Sequence, residues 1–186
     1  MNAVKRDMAR SSVYVEEKVK PVIEELLPFW HMMKVEGREN EVCQLLDMSC
    51  GIDYLLHSEQ SSLVLGVASR VQYGKNYRTF TVRKDRASGV LTEHQKRTQA
   101  ISQGGLYPMY SVQSYIDDDG ELAGLGIVRT ADLSEFISRG LAREKKTGAD
   151  KIGQAEFYVC TWDKLKYAGY NVLEYPTREK DRQQRR

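Results

Sequence analysis

Between a pair of serines and the turn signal YGKN the chain carries SLVLGVASRVQY, a stretch rich in valine and leucine that reads as a β-strand. Strand alternation sets Val64, Gly66, Ala68, Arg70 and Gln72 on one face, so that Arg70 and Gln72 project together from a face kept small before them. YRTFTVR, with its β-branched and aromatic residues, reads as a further strand or hairpin partner. LYPMYSVQSYI, LAGLGIVRT and AEFYVCT continue the series, and DDDG from Asp117 makes a turn. Upstream, VCQLLD and IDYLL read as two short strands joined by the break MSCG.

Helical periodicity marks three segments. From Ser12 to Trp30 the apolar positions Val15, Val19, Val22, Ile23, Leu26, Phe29 and Trp30 form one stripe. Pro21 fits only if the helix begins near Val19 or Lys20, since proline inside a helix costs roughly 3 kcal/mol. TEHQKRTQAISQGG has a threonine cap, an acid in the first turn and terminal glycines, and ADLSEFISRGL reads as a short helix capped by Thr130 or Asp132. AREKKTGADKIG reads as a loop or frayed helix end, and WDKLKYAGYNVLEY closes the folded part. The order predicts one α/β domain over residues 1–176 with a central mixed β-sheet flanked by helices, followed by a basic, disordered tail at 177–186.

A chain of 186 residues with 41% hydrophobic and 29% charged side chains has the composition of a soluble globular domain, and a net charge of +2 is too small by itself to define a polyanionic partner. Cys43, Cys50 and Cys160 have neither disulfide-framework nor zinc spacing and read as reduced thiols, which predicts a cytoplasmic protein. No segment has the apolar length of a signal peptide or a membrane span. His31, His57 and His94 lack metal-ligand spacing, DDDG lacks the later oxygen ligands of a calcium loop, and GVASRVQYGKN lacks phosphate-loop spacing.

Asp53 stands out within GIDYLL, because aspartate is depleted in strands and costly to bury without a partner or a metal. GID followed by GVASRVQ, within the succession helix, three strands, helix, strand over about Ser12 to Ile116, resembles the common core of the PD-(D/E)XK nuclease superfamily. The resemblance implies a restriction-endonuclease-like fold and a Mg²⁺-dependent endonuclease acting on nucleic acid, DNA before RNA. In that family an aspartate opens the second strand, which suits Asp53, and the next strand carries an acid, any residue and a lysine. Arg70 stands at the lysine position, which puts Ala68 at the acid position. Arginine cannot serve as a base at neutral pH but can bind phosphate.

What the resemblance implies for the site follows residue by residue. Asp53 would hold the metal, Arg70 would contact the scissile phosphate, and Gln72 would complete the shell with a neutral oxygen. A second carboxylate is expected from Glu25, at the edge of the first helix's apolar stripe with Glu24 turned to solvent, or from Asp47 just before the turn into GID. From Arg70 to Arg97 there are eight basic residues against Asp85 and Glu93, interleaved with Tyr73, Tyr77 and Phe80, a pattern that suits a nucleic-acid backbone. Lys75, Arg78, Arg83 and Lys84 are the candidate contacts. The competing expectation is a catalytically inactive nuclease-fold protein that binds nucleic acid or serves as a structural subunit, as a homodimer or within a DNA-processing complex, with no membrane association.

Overall fold

A computed structural model describes residues 10–86, 91–147 and 155–176. Among the described residues nine strands form two sheets: β1 (Trp30–Lys34), β2 (Tyr54–Ser58), β3 (Val64–Tyr73), β4 (Thr79–Arg86), β5 (Tyr110–Ile116), β6 (Leu122–Arg129), β7 (Arg143–Thr147), β8 (Ala155–Thr161) and β9 (Val172–Tyr175). The larger sheet has the order β1-β2-β3-β5-β6-β9, and the smaller the order β4-β8-β7. β1, β2 and β3 are an antiparallel meander; β5 lies parallel to β3, and β6 and β9 follow antiparallel. The protein is thus an α/β structure built on a mixed sheet, as the order of elements predicts, with a second sheet that the sequence did not announce.

The two faces of the larger sheet are covered differently. On one, Tyr54, Leu56, Val67, Val112, Leu125 and Ile127 pack against Val15, Val19 and Ile23 of the first helix. On the other, Tyr115 and Val128 meet Phe80, Val82 and Cys160 of the smaller sheet together with Leu133 and Phe136 of the Thr130–Ser138 helix. β4 belongs to the smaller sheet because both edges of β3 are already paired, with β2 and with β5.

Several local expectations are corrected. The α-helix Lys20–Leu26 does begin at Lys20, with Pro21 in its first turn as the proline requires, but it continues a helical segment that starts at residue 10 and passes through a π-turn at Val15–Val19, in which the Lys20 N–H reaches the Val15 carbonyl. Pro28 and the positive φ of Phe29 (71°) then turn the chain, and Trp30 opens a strand. VCQLLD is helical: the Asn40 side chain accepts from the Cys43 N–H at 2.8 Å and starts a helix over Glu41–Gln44 that continues as a π-turn to Ser49. Thr130 is the first residue of its helix rather than its cap, and neither Thr130 nor Asp132 caps it; the Thr130 hydroxyl is instead 2.9 Å from Ser111 Oγ in the core. Arg143–Thr147 is a strand of the smaller sheet, and the rest of AREKKTGADKIG, like the tail at 177–186, lies outside the described residues.

No helix among the described residues is long and apolar enough to cross a membrane. The three cysteines are free thiols.

Gly126 on β6 shows how closely the second core is packed. A Cβ there would lie 2.5 Å from the indole of the fully buried Trp162. Gly126→Ala is therefore expected to lower stability by about 1–3 kcal/mol through overpacking, read as a reduced midpoint in urea denaturation with an unchanged slope.

Candidate active site

The segment before β2 is shaped to deliver Asp53. The N–H groups of Gly51 and Ile52 close the preceding helical turn on the carbonyls of Asp47 and Leu46, and Gly51 takes the positive φ (66°) that this closure needs. Ile52 is then buried, and the chain enters the sheet at Asp53, whose N–H bonds the Val67 carbonyl and whose carbonyl accepts from both Val35 and Glu36. Tyr54 and Leu56 point into the first-helix core, so alternation turns Asp53 to the opposite face, the one carrying Ala68 and Arg70.

On that face lies a cleft of about 440 Å³. Three carboxylates line it, from Asp53, Glu36 and Glu93, together with the cationic side chains of Arg70, Arg83, Lys96 and Arg97. Asp53 Oδ2 accepts from the Ser69 N–H at 2.7 Å. Burial nevertheless pushes the Asp53 carboxyl up to about 7, with the neighbouring Glu36 adding to the rise and the Ser69 N–H and Arg97 opposing it. Glu36 is raised by its own burial and by the charge of Asp47.

Glu93 has the opposite fate. Burial would raise it, but Arg97, Arg70 and Arg83 together hold its carboxyl below the ordinary range. Its Oε1 lies 2.6 Å from Arg97 Nη2, and its Oε2 lies 3.4 Å from Arg70 Nη2. Arg70 also donates through Nη1 to the Thr81 carbonyl at 2.9 Å, which ties β3 to β4. Glu93 occupies the first turn of the Glu93–Gln103 helix, where Thr92 and Gln95 form a complete capping box, as the sequence predicts for Thr92.

The structure brings some expected residues together and separates others. Asp53, Arg70 and Arg83 line the same cleft. Gln72 shares the face of Arg70 but lines an adjoining cavity of about 390 Å³ between the two sheets, which Arg70 and Arg83 also border. Glu25 is exposed, on a helix that packs against the face of the sheet opposite Asp53, and so is no partner for it. The roles of the two neighbouring glutamates are also reversed: Glu24 faces inward and accepts from the Met32 N–H at 2.9 Å. Asp47 does not line the cleft, although its charge is felt by Glu36.

Among the expected backbone contacts, only Arg83 faces the cleft. Arg78 is committed to an ion pair with the buried Glu174, lies 3.6 Å from Asp163, and sits over the Trp162 ring. Lys84, on the opposite face of β4 from Arg83, pairs with Glu144 at 2.6 Å. Lys75 lies beyond the end of β3, six residues past Ser69, or about 20 Å away along an extended strand. The residues that sequence reasoning passed over are Glu36, Glu93, Lys96 and Arg97. TEHQKR places Glu93 with Lys96 and Arg97 at helical i+3 and i+4 spacing, the signal from which they could have been found.

Among the described residues no three His, Cys, Asp or Glu side chains form a metal-binding group. Asp53 and Glu36, two carboxylates each raised above its ordinary value, are the cleft residues that could hold a hard divalent cation of the kind that keeps most of its own water. The surrounding guanidiniums are donors for an oxyanion. Compared with known proteins, the chain matches no family model, no curated protein and no solved structure.

Two outcomes test this electrostatic arrangement. Because the folded-state pKa of Asp53 is raised, its contribution to stability is fully present in acid and is lost as pH rises from the unfolded carboxylate value through about 7. Asp53→Asn is therefore expected to gain stability relative to the native protein as pH rises, by roughly 1–3 kcal/mol at pH 8 and little at pH 4, read from denaturation at the two pH values. Glu93→Gln leaves the buried Arg97 without its counter-charge and is expected to cost about 3–5 kcal/mol, measured by thermal or urea unfolding.

Proposed function

We propose that the protein is a Mg²⁺-dependent nuclease that hydrolyses phosphodiester bonds, with DNA as the first candidate substrate. The observation that carries this reading is the convergence, in one cleft, of the Asp53 and Glu36 carboxylates with Arg70, Arg83 and Lys96. The path of the chain supports it too. A helix, the antiparallel strands β1, β2 and β3, a helix and a strand parallel to β3 follow in the order of the PD-(D/E)XK core, with a helical insertion at 41–49 between β1 and β2, with β4 between β3 and the later helix, and with the aspartate just before the second strand.

Asp53 and Glu36 would hold the metal ion, whose contribution is to polarise the phosphate and lower the pKa of water. The Asp53 carboxyl, poised near neutrality, gives up its proton on taking a cation, so affinity for the ion rises with pH up to about 7. Arg70 and Arg83 receive the phosphate oxygens and offset the charge that develops on them. Lys96, at the rim, donates to the Met48 carbonyl at 3.0 Å and adds a positive charge beside the carboxylates. Glu93 keeps the arginines side by side. The second metal-holding carboxylate sought at Glu25 or Asp47 is instead Glu36.

A second reading, binding without hydrolysis, draws on Ala68. It lies on the Asp53 face of β3, where the family carries its strand acid, and it has no oxygen to offer. One assay separates the two. Purified protein is incubated with single- and double-stranded substrates in Mg²⁺ or Mn²⁺. The nuclease reading expects cleavage that chelation abolishes and that Asp53→Ala reduces by at least about 100-fold. Salt-dependent binding that persists in Asp53→Ala, with no cleavage by either protein, would instead establish the binding role.

A further inference from the structure

The cavity of about 390 Å³ beyond Arg70 has a different character from the carboxylate- and guanidinium-lined cleft it adjoins, since it holds no acid. It lies between β3 of the larger sheet and the smaller sheet, and Arg70 and Arg83 border both spaces. Its distal wall is formed by Phe157 and Val159 of β8, with Gln72, Thr81 and Lys145 around it. The guanidiniums of Arg70 and Arg83 sit 5.6 and 5.5 Å from the centre of the half-buried Phe157 ring. With the guanidiniums over the ring, the three groups make a polarisable platform that can offer a nucleobase aromatic or guanidinium surface to stack on.

Two side chains around this platform have no partner among the described residues. The Gln72 amide makes no hydrogen bond, although it presents both a donor and an acceptor, and the Lys145 ammonium makes no ion pair. This contrasts with the nearby Lys84 and Lys146, both of which pair with Glu156. A cation, an amide and a flat apolar wall next to two arginines offer a nucleotide three kinds of contact. The phosphate has Arg70 and Arg83, the base has Phe157, and the base edge has Gln72.

We propose that this cavity receives an unpaired nucleobase, so that the protein engages single-stranded or locally opened nucleic acid in preference to an intact duplex. The proposal rests on the nucleic-acid reading above and deepens it. A base inside a duplex is stacked on its neighbours and cannot occupy a pocket closed on one side by a sheet, whereas an extruded or single-stranded base can. The cavity volume is that of a small-ligand pocket and is ample for one base.

The test is binding in chelator, so that no substrate is cut, followed by fluorescence anisotropy with a labelled unstructured single strand and with the blunt duplex of the same length and sequence. The single strand is expected to bind about tenfold or more tightly than the duplex. A 2-aminopurine within the strand should be quenched on binding as it stacks. Phe157→Leu, which keeps an apolar side chain and removes the ring, should lose the quenching and roughly tenfold in affinity, and Lys145→Glu on the exposed strand should weaken binding without abolishing it. Equal affinity for duplex and single strand, with no change in Phe157→Leu, overturns the pocket while leaving the nucleic-acid reading standing. Absence of salt-dependent binding to either overturns both.

Discussion

The Glu93 carboxylate is the anchor on which the cleft depends. Three arginines reach it from different parts of the chain: Arg70 from β3, Arg83 from β4 and Arg97 from the next turn of its own helix. Three guanidiniums in a partly buried space would repel one another, and without an acid among them the smaller sheet and the Glu93–Gln103 helix could not close on this face. Glu93 is itself well placed to stay ionised. It sits in the first turn of a helix, where the exposed N–H groups favour negative charge, and its backbone is fixed by the Thr92 and Gln95 capping box. The same contact therefore fixes tertiary packing and presents a cluster of donors to the cleft.

Asp53 and Glu93 show how little the residue type decides by itself. Both are removed from bulk water, yet one is pushed up to about 7 and the other held below its ordinary value. The difference lies in their neighbours: Glu36 beside Asp53 adds like charge, whereas the arginines surround Glu93. Pairs of acids driven apart in this way commonly divide their roles, one titrating and the other remaining a fixed charge. A carboxyl that is destabilising when ionised and without a cation is a standing cost to the fold at neutral pH, and a bound cation would relieve it.

Much of the scaffold is legible because β3, β5, β6 and β8 are rich in β-branched, aromatic or leucine residues and are bounded by turn signals. Alternation along β3 also puts Arg70 on the face of the sheet where the structure shows Asp53, which its apolar flanks single out. What escaped has physical causes. β1 is short and only Met32 of its side chains is buried, so WHMMK carries no strong period; its Trp30 falls to the helical stripe before it and the rest to no element. VCQLLD looked like a strand because its leucines and valine are apolar, yet Val42 and Leu45 are exposed on a helix that Asn40 starts. The stripe that points to Glu25 marks which side of a helix is buried but not which face of a sheet it covers. Glu93 read as an ordinary first-turn acid, because the arginines that give it meaning lie 10 and 23 residues upstream as well as on its own helix.

The basic excess between Arg70 and Arg97 includes four cations that line the cleft, Arg70, Arg83, Lys96 and Arg97, and others that face elsewhere. Counting charges along the chain treats every cation as available, and several are not. Arg78 and Lys84 meet acids contributed by β7, α-helical Asp163 and β9, elements remote in sequence, and their field is neutralised locally. Alternation along β4 sorts the remainder, since Arg83 turns toward the cleft while Lys84 turns away from it. The chain's net charge of +2 is consequently a poor guide to the potential inside the groove. What matters there is that Arg70 and Arg83 stand at the junction of a carboxylate-bearing cleft and an aromatic-walled cavity, so that one phosphate bound by them would place reacting atoms on one side and a base on the other.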